Sequence, residues 1–118
     1  MLFRSECLRP LAEMEQVAAV GINCTAPRFI PSLIAEARRV SDKPIIVYPN
    51  SGERYDVEKR RWLGVSDSAG FAGASQDWRR AGASIIGGCC RTGPDHIRSI
   101  RASLHSPATQ EMGRGARG

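Results

Sequence analysis

No stretch of this 118-residue sequence approaches the run of about 18 apolar residues that a membrane-spanning helix requires, so no such span is expected. A secretory signal pattern is missing as well, because Arg4 and Glu6 interrupt the N-terminus almost at once. The expected location is cytoplasmic, a compartment that keeps thiols reduced. Dense patches of one charge are also lacking. There are 17 Lys and Arg against 12 Asp and Glu, a formal net charge of +5. The basic residues are scattered over Arg38-Arg39, Lys59-Arg60-Arg61, Arg79-Arg80, Arg98 and Arg101, as solvated helix surfaces would place them. Nucleic-acid binding calls for clustering on one face, so neither nucleic acid nor membrane is an expected partner. The four cysteines include no C-x-x-C pair, the spacing that would point to a zinc ribbon or a thioredoxin-like centre.

What is present is an ordinary globular composition, 42% hydrophobic, in a chain long enough for one small domain. Three short apolar runs stand out at Val17–Ile22, Pro44–Tyr48 and Ala83–Gly87. Each is nearly continuous rather than alternating, the pattern of a parallel strand buried on both faces. Helical patterns lie around them. Leu8–Glu15 reads as a short helix before the first strand. Pro27–Val40 puts Phe29, Ile30, Leu33, Ile34, Ala37 and Val40 on one stripe, with Pro27 and Pro31 in its opening turns. Asp67–Ala81 aligns Phe71, Ala74, Trp78 and Ala81 and ends at Gly82, a C-cap residue. Pro94–Leu104 aligns Ile97, Ile100 and Leu104. The connection from Tyr48 to Asp67 reads as a long loop, a kind of segment that often carries function. Residues 105–118 have no apolar period and are expected to form a disordered tail. Residues 1–7 are expected to be non-native or disordered. Codons for Leu2-Phe3-Arg4-Ser5 can spell the end of a common sequencing adapter.

Strand–helix alternation implies an α/β fold with a parallel sheet. Three strands alone make a poor one, because helices on one side leave the other face bare and both edges unpaired. Strand ends marked by Pro or Gly that feed a loop and then a helix suit a (β/α)8 TIM barrel, which has eight such units in about 250 residues. The expectation is a partial barrel of three β/α units, either a piece of a larger chain or a domain that needs a partner. Its barrel-interior face should be apolar and exposed.

Cys24 ends the first apolar run, and Cys89-Cys90 follow Gly87-Gly88 at the end of the third. Catalytic groups in barrels sit at the C-terminal ends of strands. If the first and third strands flank the second, they lie under about 10 Å apart, and two Zn–S bonds of about 2.3 Å can close that gap. The glycines are expected to let the backbone turn so that both adjacent thiols reach one ion. Three thiolates would make an open zinc site, with one coordination position free for a further thiol. Spacing alone also admits a strained vicinal Cys89–Cys90 disulfide, or inert thiols. Cys7, which precedes the first strand, fits the inert reading.

Gly21-Ile22-Asn23-Cys24, Tyr48-Pro49-Asn50-Ser51-Gly52-Glu53 and Gly87-Gly88-Cys89-Cys90-Arg91-Thr92, followed by Pro94-Asp95-His96-Ile97, resemble the homocysteine S-methyltransferase family over about Leu8–Leu104. The resemblance implies a (β/α)8 barrel of which residues 8–104 are the C-terminal part, holding its last three strands. Roughly five units of the eight would precede Leu8. It implies Zn2+ on Cys24, Cys89 and Cys90, homocysteine as methyl acceptor and methionine as product. The Tyr48-Pro49-Asn50-Ser51-Gly52-Glu53 stretch and Arg91-Thr92 are similar to the branch that uses S-methylmethionine or S-adenosylmethionine as sulfonium donor. Asn23 and Asn50 are candidate substrate-binding residues by position, with turn and strand-end hydrogen bonding as their other role. Glu53 is read as a solvated loop carboxylate, His96 as a helix-surface residue, and Trp62 and Trp78 as packing residues.

Overall fold

The computed structural model describes residues 2–64 and 66–105; apart from His105, the expected tail lies outside the described residues. The elements are α1 (Leu2–Ala12), β1 (Val20–Asn23), α2 (Ile30–Val40), β2 (Ile45–Tyr48), β3 (Arg54–Asp56), β4 (Arg61–Leu63), α3 (Ser68–Ala81), β5 (Ala83–Ile86) and α4 (Pro94–Leu104). A short 3-10 turn, Pro27–Phe29, leads into α2.

β1, β2 and β5 form a parallel sheet in the order β1-β2-β5. The first and third apolar runs therefore do flank the second. Val20, Ile45, Val47 and Ala83 face the helices and pack with Ile30, Ile34, Ala37, Phe71, Trp78 and Ile100 in one core. Burying each large aliphatic side chain there contributes about 1.5–3 kcal/mol. The opposite face differs. Gly21 is exposed, Ile46 is half-buried and Ile85 is 54% exposed. Among the described residues the strands are thus covered on one side only, not on both as their continuous apolar runs suggest. That matches the bare interior face expected for three units standing alone.

Helical segments depart from the sequence pattern at several points, first at Phe29, which falls in the 3-10 turn and is 44% exposed rather than on the buried stripe of α2. In α3 the buried positions are Phe71, Ala72, Ser75 and Trp78, whereas Ala81 is exposed. The last turn runs to Gly82, which caps the helix at φ 131° and turns the chain into β5. In α4 the buried residues are His96 and Ile100, while Ile97 is 48% exposed. The ring of Phe71 meets the His96 ring edge-on at 5.3 Å, so α3 selects a different stripe of α4 from the purely aliphatic one. The first helix starts at Leu2 rather than Leu8. Pro10 consequently lies inside it, and the Glu6 carbonyl lacks its usual helical donor.

The long connection after β2 is not all loop. β3 and β4 pair antiparallel, with Tyr55 opposite Trp62 and their rings 5.5 Å apart. The Asp56 carboxylate accepts the Glu58 and Lys59 amides in the turn. These strands are three residues long and half of their residues are charged, too short a run for an alternating apolar signal to mark them. Arg38 is also not a merely solvated residue. It donates to the carbonyls of Ser41, Lys43 and Gly82, tying the end of α2 to the end of α3.

Candidate metal centre

The C-terminal ends of β1, β2 and β5 lie side by side, and the loop after β2 bridges its two neighbours. The Cys24 amide donates to the Tyr48 carbonyl at 3.0 Å, and the Asn50 amide to Thr25 at 3.0 Å. On the other side the Gly87 amide donates to Val47 at 2.8 Å and the Cys89 amide to Pro49 at 2.9 Å. The Ser51 amide closes the set by donating to the Cys90 carbonyl at 3.0 Å. Continuing the parallel ladder beyond the strands in this way holds Cys24 and the Cys89-Cys90 pair against one central segment.

The outcome is a three-thiol cluster. The sulfurs of Cys24, Cys89 and Cys90 all lie within 4.8 Å of one another, and Cys24 Sγ is 3.3 Å from Cys90 Sγ. Tetrahedral coordination with bonds of about 2.3 Å puts sulfurs about 3.8 Å apart. The observed spacing brackets that value, so the donor set fits one zinc ion. All four cysteines are free thiols, with no Cys89–Cys90 bond. Cys24 and Cys90 are exposed and Cys89 is half-buried, so an incoming ligand has access.

Backbone strain, rather than glycine freedom, aims the thiols. Cys24 has φ 45° and Arg91 has φ 64°, left-handed values that cost a non-glycine residue about 1–3 kcal/mol. Gly87 and Gly88, expected to let the backbone turn, do not adopt positive φ. Gly88 is needed for close approach: a Cβ there would collide with Thr92 Oγ1. That hydroxyl donates to the Cys89 carbonyl at 2.7 Å and closes the turn.

The thiols perturb one another. A backbone hydrogen bond from Cys90, then thiol hydrogen bonds from Cys90 and Cys89, lower the Cys24 pKa from its ordinary 9.0. The Cys90 thiol is pushed up to about 11, chiefly by its hydrogen bonds to Cys24 and Cys89 and then by their negative charge. The two shifts are opposite in sign, so Cys24 gives up its proton more readily than Cys90.

Asn23 and Asn50 both lie at this rim. Asn23 Oδ1 faces the Cys89 thiol at 3.7 Å. Asn50 Oδ1 accepts the Gly52 amide at 2.9 Å and shapes its own loop. Glu53 is not a solvated carboxylate. Its side chain is 7% exposed, accepts the Ser51 hydroxyl at 2.9 Å and pairs with Arg91 Nε at 3.3 Å. The Ser51 hydrogen bond comes first, and Arg91 adds to it, in holding the Glu53 carboxyl below the ordinary 4.5. His96 is buried, not on the surface. Its Nδ1 accepts the Gly93 amide at 3.1 Å, which leaves the neutral ring's proton on Nε2, 2.9 Å from the Ser66 hydroxyl. Trp78 is a core residue, 1% exposed, as its helical stripe suggests. Trp62 sits half-buried on β4, with the Arg91 guanidinium 6.0 Å from its ring.

Comparison with known proteins adds to this picture. A family model described as homocysteine S-methyltransferase matches residues 4–104. Homocysteine S-methyltransferase 2 of Zea mays is 51% identical over 111 residues, covering 91% of this chain and 32% of the maize protein. Homocysteine S-methyltransferase YbgG of Bacillus subtilis is 47% identical over 105 residues, covering 89% of this chain and 33% of YbgG. The chain thus spans about a third of the length of these relatives. Among solved structures, the oxidized form of the homocysteine methyltransferase MmuM from Escherichia coli superposes with a TM-score of 0.66 at 34% identity. That match covers 83% of this chain and 29% of MmuM.

Proposed function

The chain belongs to the homocysteine S-methyltransferase family, and on that premise we propose that it forms the zinc-holding rim of an enzyme that methylates the thiol of homocysteine from a sulfonium donor. The observation that supports this most directly is the convergence of the Cys24, Cys89 and Cys90 thiols at adjacent strand ends. The three parallel strands and their helices are read as the last three units of a (β/α)8 barrel, whose functional rim is the C-terminal one.

Cys24, Cys89 and Cys90 would hold Zn2+ and leave a fourth position open. When bound, the ion supplies Lewis acidity that lowers the pKa of an acceptor thiol toward neutrality. The protein's own part is to keep three soft donors preformed at the rim, with the β2 loop bonded to both sides of the centre. Asn23, beside the Cys89 thiol, is positioned to meet substrate; Asn50 contributes by fixing the bridging loop.

The donor is read as S-methylmethionine or S-adenosylmethionine. The homocysteine sulfur forms a bond to the methyl carbon as the donor's methyl–sulfur bond breaks. The bonding pair leaves with what becomes a neutral thioether, the acceptor loses its thiol proton, and the product is methionine. In-line positioning and thiolate formation are the work required. The setting is read as cytoplasmic, with homocysteine and the sulfonium donor as small-molecule partners.

Metal analysis and a methyl-transfer assay test this reading together. One zinc per chain is expected, along with transfer of labelled methyl from either donor to homocysteine in protein that carries the full rim. A metal-free protein with a reducible Cys89–Cys90 disulfide and no transfer would overturn it in favour of a thiol-redox role. Stoichiometric zinc without turnover would support a non-catalytic zinc-binding role instead.

A further inference from the structure

The cysteine turn is clasped by a polar network that the thiol chemistry itself does not use. Arg91 follows Cys90 directly and holds a left-handed backbone at φ 64°. Its Nε meets Glu53 Oε2 at 3.3 Å, and Ser51 Oγ donates to the same carboxylate oxygen at 2.9 Å. The Ser51 hydroxyl also accepts the Glu53 amide at 3.2 Å, and the Ser51 amide reaches the Cys90 carbonyl. From the other side Ser66 Oγ donates to the Arg91 carbonyl at 3.4 Å and is bonded in turn to His96. Segments from three places in the sequence therefore converge on the two peptide units that flank Arg91, directly after Cys90.

The Glu53–Arg91 contact is unlike a surface ion pair. Arg91 is half-exposed, and an exposed pair of this kind would by itself contribute little. The Glu53 side chain, however, is 7% exposed. A buried carboxylate stripped of its partner loses more than the pair gains, so the structure is driven to keep Arg91 in place. Keeping Arg91 in place keeps φ at its strained value, and that φ sets the course of the chain leaving Cys90.

We propose that Glu53 and Arg91, neither of them a metal ligand, are a positioning pair for the thiol centre, locking the Cys89-Cys90 turn so that both sulfurs face Cys24. The proposal rests on the zinc-site reading above for its consequence, but the locking can be measured without metal. Neither residue is a ligand; both act through the peptide units that flank Arg91.

The test titrates the chain with Co2+, whose thiolate absorption reports the ligand set, and follows backbone amide exchange over residues 87–93 in the metal-free state. Glu53→Ala is expected to weaken Co2+ binding about 10- to 100-fold, the range typical of partners that orient metal ligands. The cobalt–thiolate band should shift, while far-UV circular dichroism stays unchanged and amide exchange across 87–93 accelerates. Glu53→Gln, which keeps an acceptor for Ser51, should recover part of the affinity. Arg91→Lys should fall between wild type and Glu53→Ala. If Glu53→Ala does not fold, Glu53→Gln and Arg91→Lys carry the comparison. Affinity within twofold of wild type and unchanged exchange in folded variants would overturn the pair's role. Absence of Co2+ binding by wild type, with exchange still accelerated in the variants, would remove the zinc reading and leave the positioning role standing.

Discussion

Cys24 and Cys90 are 66 residues apart in sequence, and their sulfurs stand 3.3 Å apart in the structure. The contact spans β2, which lies between the strands that carry them. It therefore depends on the parallel order β1-β2-β5 and on the β2 loop that bonds to both cysteine segments.

Replacing Cys24 should reduce the metal site to two adjacent thiols. If the three thiols hold zinc as proposed, Cys24→Ala is expected to lower zinc affinity by about a hundredfold or more, beyond the loss caused by orienting residues, and to abolish methyl transfer in protein that carries the full rim. Chelator competition measures the first and labelled-methyl assay the second. Stoichiometric zinc at unchanged affinity would remove Cys24 from the ligand set.

Stability at low pH should report Glu53. Its carboxyl is held below the ordinary 4.5 by Ser51 and Arg91, so the folded state favours the charged form. The unfolded chain binds this proton more readily, and stability falls as the proton is taken up. The contribution is present above the ordinary value and is lost as pH drops through the lower folded one. Glu53→Gln should flatten the acid limb of a stability–pH curve below about pH 4.5 relative to wild type. Parallel curves through that window would contradict the assignment.

Gly88 should tolerate no side chain. A Cβ at this position would collide with Thr92 Oγ1 and sit 2.8 Å from Thr92 Cβ. Thr92 cannot swing away without releasing the Cys89 carbonyl. Gly88→Ala is expected to destabilise the chain by about 1–3 kcal/mol, as overpacking does, and to weaken metal binding. Gly73, where an added Cβ would meet nothing within 4 Å, supplies the control. Gly73→Ala in the middle of α3 should be neutral or stabilising by about 0.5–1 kcal/mol. Chemical denaturation compares the two.

The two faces of the sheet should respond oppositely to substitution. Ile45 is 0% exposed and Ile85 is 54% exposed. Ile45→Ala is expected to cost about 2–5 kcal/mol. Ile85→Ser should cost little and should reduce self-association of the isolated chain, since it removes exposed apolar surface. Denaturation midpoints and light scattering check the pair. Loss of stability on Ile85→Ser equal to that on Ile45→Ala would show that this face is covered.

Local chemistry made much of the protein legible in the sequence. Continuous apolar runs marked β1, β2 and β5; helical periods marked α2, α3 and α4; and Gly82 and Asp67 marked the two ends of α3. The strand-end position of Cys24, Cys89 and Cys90 pointed to their convergence, because a parallel sheet aligns successive strand ends. These features depend on neighbours within a few residues or on the general handedness and order of α/β units. Four others depended on contacts that no local pattern encodes. The hairpin of β3 and β4 is too short and too charged to show a period, and it is held by Tyr55 against Trp62. His96 displaced Ile97 from the buried face of α4 because Phe71, from another helix, meets its ring. Glu53 is buried with two partners, the neighbouring Ser51 hydroxyl and Arg91, which lies 3.3 Å away and 38 residues on. The left-handed turns at Cys24 and Arg91, rather than glycine, aim the thiols, since tertiary hydrogen bonds around these turns offset strain that a sequence alone gives no reason to expect.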